Sequence, residues 1–108
     1  MKEVEKMNTV IFVGRLTADP QSKQINENTT VTAFRLAVRR SYKNAQGEYG
    51  ADFIPCECYG KSAEIAAAYA KKGKLVGVRG SLRTYTKKDA DGQQSSGLTV
   101  RVDDITLL

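Results

Sequence analysis

Alternation of apolar and polar side chains at a period of two runs through most of this sequence, and it favours a fold made mainly of β-strands. Five runs show the alternation: residues 8–16, 31–40, 52–59, 74–87 and 98–107. Polar turns or loops are predicted between them at residues 26–30, 42–50 and 89–97. Gly14 within the first run and Asp103-Asp104 within the last indicate bulges or tight bends. Asp91-Gly92 is a strong hairpin signal.

One segment, residues 62–72, has the signals of a helix instead. Ser62 has the residue type of an N-cap, Glu64 favours the first turn, and Gly73 follows the last turn. The predicted apolar stripe of this helix consists of Ile65, Ala68 and Tyr69. The helix lies between the third and fourth predicted strands. This order predicts an all-β fold, the five-stranded Greek-key OB barrel with one α-helix between strands 3 and 4.

The length of 108 residues is enough for one domain and too small for two cores. Residues 1–7 precede the strand pattern, and we interpret them as an N-terminal extension before a domain at residues 8–108. They lack the apolar region of a secretory signal, and no apolar stretch of the chain is long enough to cross a bilayer. We therefore expect a cytoplasmic protein with no membrane partner.

The charge favours a polyanionic partner without naming one, since 17 basic and 12 acidic side chains give a net charge of +5. The sequence contains no histidine, the commonest general base and metal ligand. Cys56 and Cys58 alone do not complete a zinc site, and same-face positions on one strand rarely form a disulfide. A buried pair of reduced thiols is predicted. We expect no enzymatic activity, no metal and no cofactor.

Basic and aromatic side chains share the predicted outward positions of neighbouring strands. They are Arg15 on the first strand, Arg35 and Arg39 on the second, Phe53 and Tyr59 on the third, and Arg83, Tyr85 and Lys87 on the fourth, with Tyr42 and Lys43 in the loop between the second and third. Cationic grooves that follow phosphates, with rings on which unpaired bases stack, hold single-stranded nucleic acid. Singly, each ring could be ordinary packing and each arginine a solvated charge, and Phe53 could contact a second subunit. Their shared face favours nucleic-acid binding.

Four segments resemble the bacterial and phage single-stranded DNA-binding protein family in order and spacing. They are VIFVGRLTADP at residues 10–20, ADFIPC at 51–56, the helix from KSAE at 61–64 to KKG at 71–73, and VRGSLRT at 78–84. The resemblance implies an OB fold whose main stacking residues are Tyr42, Phe53 and Tyr59. A fourth ring would fall at Lys87, and we expect Tyr85, two residues earlier on the same face, to replace it.

The resemblance also implies partners and a biological role. It implies single-stranded DNA as ligand, a homo-oligomer (tetramer or dimer) built through the first strands, and roles in DNA replication, repair and recombination. Family members carry a flexible tail with an acidic tip that recruits replication proteins. No such tail follows Leu108, so either the sequence is trimmed or the protein is tailless. In the second case we expect DNA coating without recruitment.

Two alternative functions stay open. One is an RNA-binding or primosome-type OB module, whose groove residues would look alike. The other is a protein-interaction OB domain in which the exposed rings of Phe53 and Tyr59 form a subunit interface.

Overall fold

The computed structural model describes residues 7–108. Its elements follow in the order β1 (Val10–Leu16), β2 (Gln21–Asn26), β3 (Thr29–Lys43), β4 (Tyr49–Tyr59), α1 (Gly60–Tyr69), β5 (Leu75–Lys88) and β6 (Gln94–Leu107). The predicted N-terminal extension, residues 1–7, lies outside the described residues except for Met7. Within the described part of the chain, no helix is long and apolar enough to span a membrane.

Five of the strands close into a barrel. β1 pairs with β5, β5 with β6, β6 with β4 and β4 with β3. β3 returns to β1 through the pairs Arg15–Ala37 and Leu16–Leu36 and completes the ring. The β4–β6 pairing is parallel and the others are antiparallel. With α1 between β4 and β5, this architecture confirms the predicted OB barrel.

Alternate residues of the barrel strands fill its interior. The largest fully buried side chains are Leu36, Val76, Val78, Val100, Thr32, Cys56 and Cys58. Because successive side chains of a strand point to opposite faces, the residues between these point to solvent. The interior is therefore apolar, and the outer face is left free to carry charges and rings.

Gly14 lies where β1 passes from β5 to β3. A Cβ at this position would lie 2.6 Å from the carbonyl oxygen of Ala37, far inside van der Waals contact. The glycine predicted to mark a bend thus marks the close backbone approach at which the barrel closes.

The bulge predicted at Asp103-Asp104 is present in β6. Arg79 pairs with Asp104, whereas the next residue of β5, Gly80, pairs with Val102, and Asp103 is the extra residue. The bulge turns β6 so that it can pair with β4 as well as with β5.

α1 begins and ends earlier than predicted. It starts at Gly60 without a side-chain cap and ends at Tyr69, so the predicted bounds of residues 62–72 were wrong. Gly73 serves the turn before β5 instead, with φ of +83° and its N–H donating to the Leu16 carbonyl at 2.8 Å.

The buried side of α1 consists of small residues: Ser62, Ala63 and Ala66. The predicted stripe of Ile65, Ala68 and Tyr69 was therefore wrong, and Tyr69 is 63% exposed. Ser62 is not an N-cap, because its buried hydroxyl donates to the Asp103 carbonyl at 2.9 Å. Small side chains let the helix backbone approach the barrel, and the Thr32 hydroxyl donates to the Ala63 carbonyl at 3.2 Å.

The β3–β4 hairpin extends further than predicted. Lys43 pairs with Tyr49, so the loop predicted at residues 42–50 shrinks to residues 44–48. Tyr42 and Lys43, which we predicted in a loop, lie on β3. Polar residues can continue a strand pair beyond the core because both faces meet solvent there.

Two further strand segments were missed. Residues 21–26 form β2, which pairs with β3 and exposes all of its side chains, so it gives no alternation of burial. β6 begins at Gln94 rather than at residue 98 and shortens the predicted turn at 89–97. Leu82 of β5 is 40% exposed.

Candidate nucleic-acid interface

Outward side chains of four neighbouring strands form one continuous surface, which we name the binding face. It comprises Arg35 and Arg39 of β3, Tyr49, Phe53, Glu57 and Tyr59 of β4, Arg101 of β6, and Arg83, Tyr85 and Lys87 of β5. Strand pairing sets the neighbours: Ala37 is opposite Phe53, and Glu57 is beside Arg101. Since paired strands lie about 4.8 Å apart, one ligand can contact several strands at once.

A cleft of about 740 Å³ crosses the binding face. Its lining includes Arg35 of β3, Glu57 of β4, Thr99 of β6, and Tyr85 and Lys87 of β5. Because four strands contribute to it, the cleft runs across the strands rather than along one of them. That direction suits an extended polymer whose charged backbone and rings are contacted in turn.

Three tyrosine rings of the binding face are each covered by a cation. The pairs are Arg39–Tyr49 at 3.9 Å, Arg101–Tyr59 at 4.5 Å and Lys87–Tyr85 at 5.3 Å, measured from the guanidinium carbon or Nζ to the ring centre. Cations within about 6 Å of a ring centre are attracted by its electron-rich face. Each pair therefore holds a positive charge and a flat surface together before any ligand arrives.

Phe53 and Tyr42 are the rings left open. Phe53 is 60% exposed and Tyr42 is 65% exposed, and among residues 7–108 no cation lies over either ring. The residue paired with Phe53 is Ala37, too small to cover the phenyl ring. A bare ring on a polar strand surface is unfavourable in water and offers a platform on which a base can stack.

Glu57 and Tyr59 are joined by a hydrogen bond on the binding face. The Tyr59 hydroxyl donates to Oε2 of Glu57 at 3.0 Å. Burial raises the pKa of Tyr59, and the hydrogen bond to Glu57 adds to the increase. The hydroxyl therefore stays protonated at neutral pH and keeps donating to the carboxylate.

Three of the predicted site residues lie at the margins of the binding face. Arg15 is on β1 beside Ala37, and its guanidinium donates to the Gly73 carbonyl at 2.9 Å. Tyr42 and Lys43 lie near the tip of the β3–β4 hairpin. The other predicted residues lie together on the face: Arg35, Arg39, Phe53, Tyr59, Arg83, Tyr85 and Lys87.

Among the rings and cations of the binding face, sequence reasoning missed two, Tyr49 and Arg101. Tyr49 continues the outward series of Phe53 towards the start of β4, and it was hidden by the loop predicted there. Arg101 alternates with the buried residues Val100 and Val102. Strict alternation along the two strands would have found both.

The two cysteines are buried inside the barrel and unpaired, which confirms the predicted reduced thiols. Burial raises the pKa of Cys56 and of Cys58 to about 12, so both stay neutral thiols at physiological pH. Their positions alternate along β4 with those of Pro55, Glu57 and Tyr59 on the outward side. No group of three or more His, Cys, Asp or Glu residues within 7–108 is placed to hold a metal ion.

The closed barrel, with rings and cations on one outer face, is that of an OB-fold protein. The sequence model of the single-strand binding protein family matches residues 7–108. This chain belongs to that family. The resemblance found in the sequence is thereby confirmed.

Individual relatives agree with the family assignment. The chain is 41% identical over 102 residues to single-stranded DNA-binding protein 1 of Lactococcus lactis, covering 94% of this chain and 68% of that protein. It is 43% identical over 102 residues to the single-stranded DNA-binding protein of Caldanaerobacter subterraneus, with the same coverage of 94% and 68%. It is 44% identical over 85 residues to single-stranded DNA-binding protein B of Bacillus subtilis, covering 79% and 75%. These are names of binding proteins, in agreement with the prediction that the chain is not an enzyme.

Proposed function

We propose that this protein binds single-stranded DNA through the binding face and keeps it extended and unpaired. The observation that carries the proposal is the interleaving of open rings, cation-covered rings and free cations across four strands of an OB barrel. The names of the relatives, which are single-stranded DNA-binding proteins, support it. The proposed domain spans residues 8–108.

The proposed contacts divide into stacking and phosphate contacts. Phe53 and Tyr42 receive bases directly, because their ring faces are open. At Tyr59 the base stacks on the guanidinium of Arg101 or displaces it from the ring. Each stacked base contributes about 1–3 kcal/mol, and any base can stack, which makes binding tolerant of sequence.

Phosphate contacts come from the cations around these rings. They are Arg15, Arg35, Arg39, Lys43, Arg83, Lys87 and Arg101. Within residues 7–108 none of these side chains forms an ion pair with a carboxylate, since the pairs present are Arg40–Asp52 and Arg79–Asp104. Their charges are therefore available to a polyanion.

We also propose that the protein acts as a homo-oligomer assembled through β1. Ile11 is 70% exposed and Val13 is 52% exposed on the outward side of this strand. Removing two neighbouring apolar side chains from water is favourable, and a second copy of the chain packed on β1 would cover both of them. The proposed roles are in DNA replication, repair and recombination, in the cytoplasm.

A competition experiment tests the proposed function. A fluorescently labelled single-stranded DNA oligonucleotide of mixed sequence is bound, and unlabelled single-stranded DNA, duplex DNA or RNA of the same sequence is added. We expect single-stranded DNA to displace the label at a much lower concentration than duplex DNA or RNA. Preferential displacement by RNA would support the RNA-binding alternative instead, and absence of binding would leave the protein-interaction alternative.

A further inference from the structure

We propose that Glu57 makes the binding face discriminate between bases, favouring those with an amino group on the Watson–Crick edge over thymine. The inference rests on the proposed single-strand function and refines it. It assigns a specificity role to a carboxylate in a surface otherwise built from rings and cations.

Glu57 lies where the proposed function places the bound DNA. It lies between Pro55 and Tyr59 on the outward side of β4, and it lines the cleft that crosses the face. A second groove, between β2 and Lys87, is also lined by Glu57. Its partner on β3 is Ala33, whose small side chain leaves the carboxylate accessible.

The carboxylate of Glu57 is held in place by a hydrogen bond but forms no ion pair with the described residues. Oε2 accepts the hydrogen bond of the Tyr59 hydroxyl at 3.0 Å, and Arg101 covers the ring of that tyrosine. Among residues 7–108, no lysine or arginine nitrogen lies within 4 Å of the Glu57 carboxylate. The ion pairs in this part of the chain are Arg40–Asp52 and Arg79–Asp104. The other carboxylate oxygen of Glu57, Oε1, accepts no hydrogen bond from residues 7–108.

A carboxylate without an ion-pair partner on the binding face repels phosphate. A bound strand therefore places its backbone along the surrounding cations and turns its bases, rather than phosphates, towards Glu57. Glu57 is two residues from Tyr59 on the same side of the strand, about 7 Å away along the chain. The hydrogen-bonding edge of a base stacked at Tyr59 and Arg101 can reach that far.

Hydrogen-bond chemistry then separates the bases. An ionised carboxylate is an acceptor only. Cytosine offers it the N4 amino group and adenine the N6 amino group, and guanine offers the neighbouring N1–H and N2 amino donors. Thymine offers only N3–H, flanked by two carbonyl oxygens that the carboxylate repels. At this one position the carboxylate therefore favours a base with an amino group over thymine, while stacking elsewhere on the face stays tolerant of sequence.

The experiment compares oligo-dC and oligo-dT of equal length by fluorescence anisotropy at about pH 8, where cytosine is unprotonated. The readout is the ratio of the two dissociation constants in the wild type and in Glu57→Gln. Oligo-dC and oligo-dT differ in flexibility, but this difference is the same for the wild type and for Glu57→Gln, so it cancels when the two ratios are compared. A glutamine amide both donates and accepts, so it can pair with thymine as well as with cytosine.

We expect Glu57→Gln to shift the ratio by about threefold to tenfold in favour of oligo-dT. The matched control is Glu27→Gln, which removes the same charge at an exposed position between β2 and β3. It should leave the ratio unchanged. The inference would be overturned if Glu57→Gln shifted the ratio of dissociation constants no more than Glu27→Gln does, or if it strengthened binding of oligo-dC and oligo-dT equally. Tight binding of either oligonucleotide would still support the proposed function in that case. If the wild type bound neither oligonucleotide, both would be wrong.

Discussion

The ring of Tyr85 lies against Gly97, its cross-strand partner, so closely that a Cβ on Gly97 would be 2.6 Å from the Tyr85 hydroxyl oxygen. The same Cβ would be 2.7 Å from the ring carbon that bears the hydroxyl. Only glycine at this position lets the ring rest on the strand. Together with Lys87 above it, the glycine holds the ring of Tyr85 at the wall of the cleft.

Gly97→Ala should displace the ring of Tyr85 and weaken binding of single-stranded DNA by about 1 kcal/mol, with little change in stability. The ring is at the far end of a flexible side chain, so it can swing away without moving the backbone. A double-mutant cycle with Tyr85→Ala is the measurement. We expect Gly97→Ala to have almost no further effect once Tyr85 is truncated. Additive losses would show that Gly97 acts independently of the ring.

Phe53→Ala should weaken single-strand binding by about 1–3 kcal/mol, because it removes an open stacking platform. Folding stability should change little, since the ring is 60% exposed. The matched control is Tyr69→Ala on α1, which removes a ring that is 63% exposed but lies outside the binding face. Affinity is measured by anisotropy and mass by sedimentation. A change of mass with unchanged affinity would assign Phe53 to a subunit interface instead.

Gly80→Ala should destabilise the fold by about 2–3 kcal/mol. Gly80 is at the β6 bulge, where an added Cβ would overlap the Arg101 carbonyl oxygen, and backbone cannot move aside as a side chain can. Gly77→Ala on the same strand is the control, since its nearest contact would be an ordinary 3.9 Å. Urea unfolding measures both. Equal stability of the two variants would contradict the close approach at Gly80.

The buried thiols predict loss of stability at alkaline pH. Burial raises the pKa of Cys56 and of Cys58 from 9.0 to about 12. Below about pH 9 the thiols are neutral in the folded and in the unfolded protein, so they do not change the free energy of unfolding with pH. Between about pH 9 and 12 the thiols lose their protons in the unfolded protein alone, so the free energy of unfolding falls as the pH rises. At about pH 10.5 we expect a loss of about 1–2 kcal/mol per thiol.

The measurement is urea unfolding at about pH 8 and 10.5 for the wild type and for the double variant Cys56→Ala, Cys58→Ala. The double variant is less stable at both values, but its stability should fall less between them. An equal fall in both proteins would assign the alkaline sensitivity to other groups.

The barrel could be predicted where one side of a strand is buried. Phe34 and Leu36 alternate with Arg35 and Arg39, so one pass along the sequence gives both the strand and its outward side. β2 and the ends of the long hairpins could not be found in this way, because both of their faces meet solvent. The predicted apolar stripe of α1 was wrong because small residues, such as Ala63 and Ala66, pack on the barrel while Tyr69 faces solvent.

Much of the candidate site was predictable from the same alternation, including Phe53 and Tyr59. What alternation cannot give is which cation covers which ring. Arg101 and Tyr59 are far apart in sequence, and they meet only because β4 and β6 run parallel with Glu57 beside Arg101. The contact depends on the pairing of distant strands.

The most direct test of the binding face is the salt dependence of single-strand affinity, measured by anisotropy between about 50 and 300 mM salt. If about five of its cations contact phosphates, the logarithm of the binding constant should fall against the logarithm of salt with a slope of about −3 to −4. Single-stranded DNA should also remain the preferred ligand over duplex DNA throughout. A slope near zero, or equal binding of the duplex, would contradict single-strand recognition by the cationic, ring-bearing face.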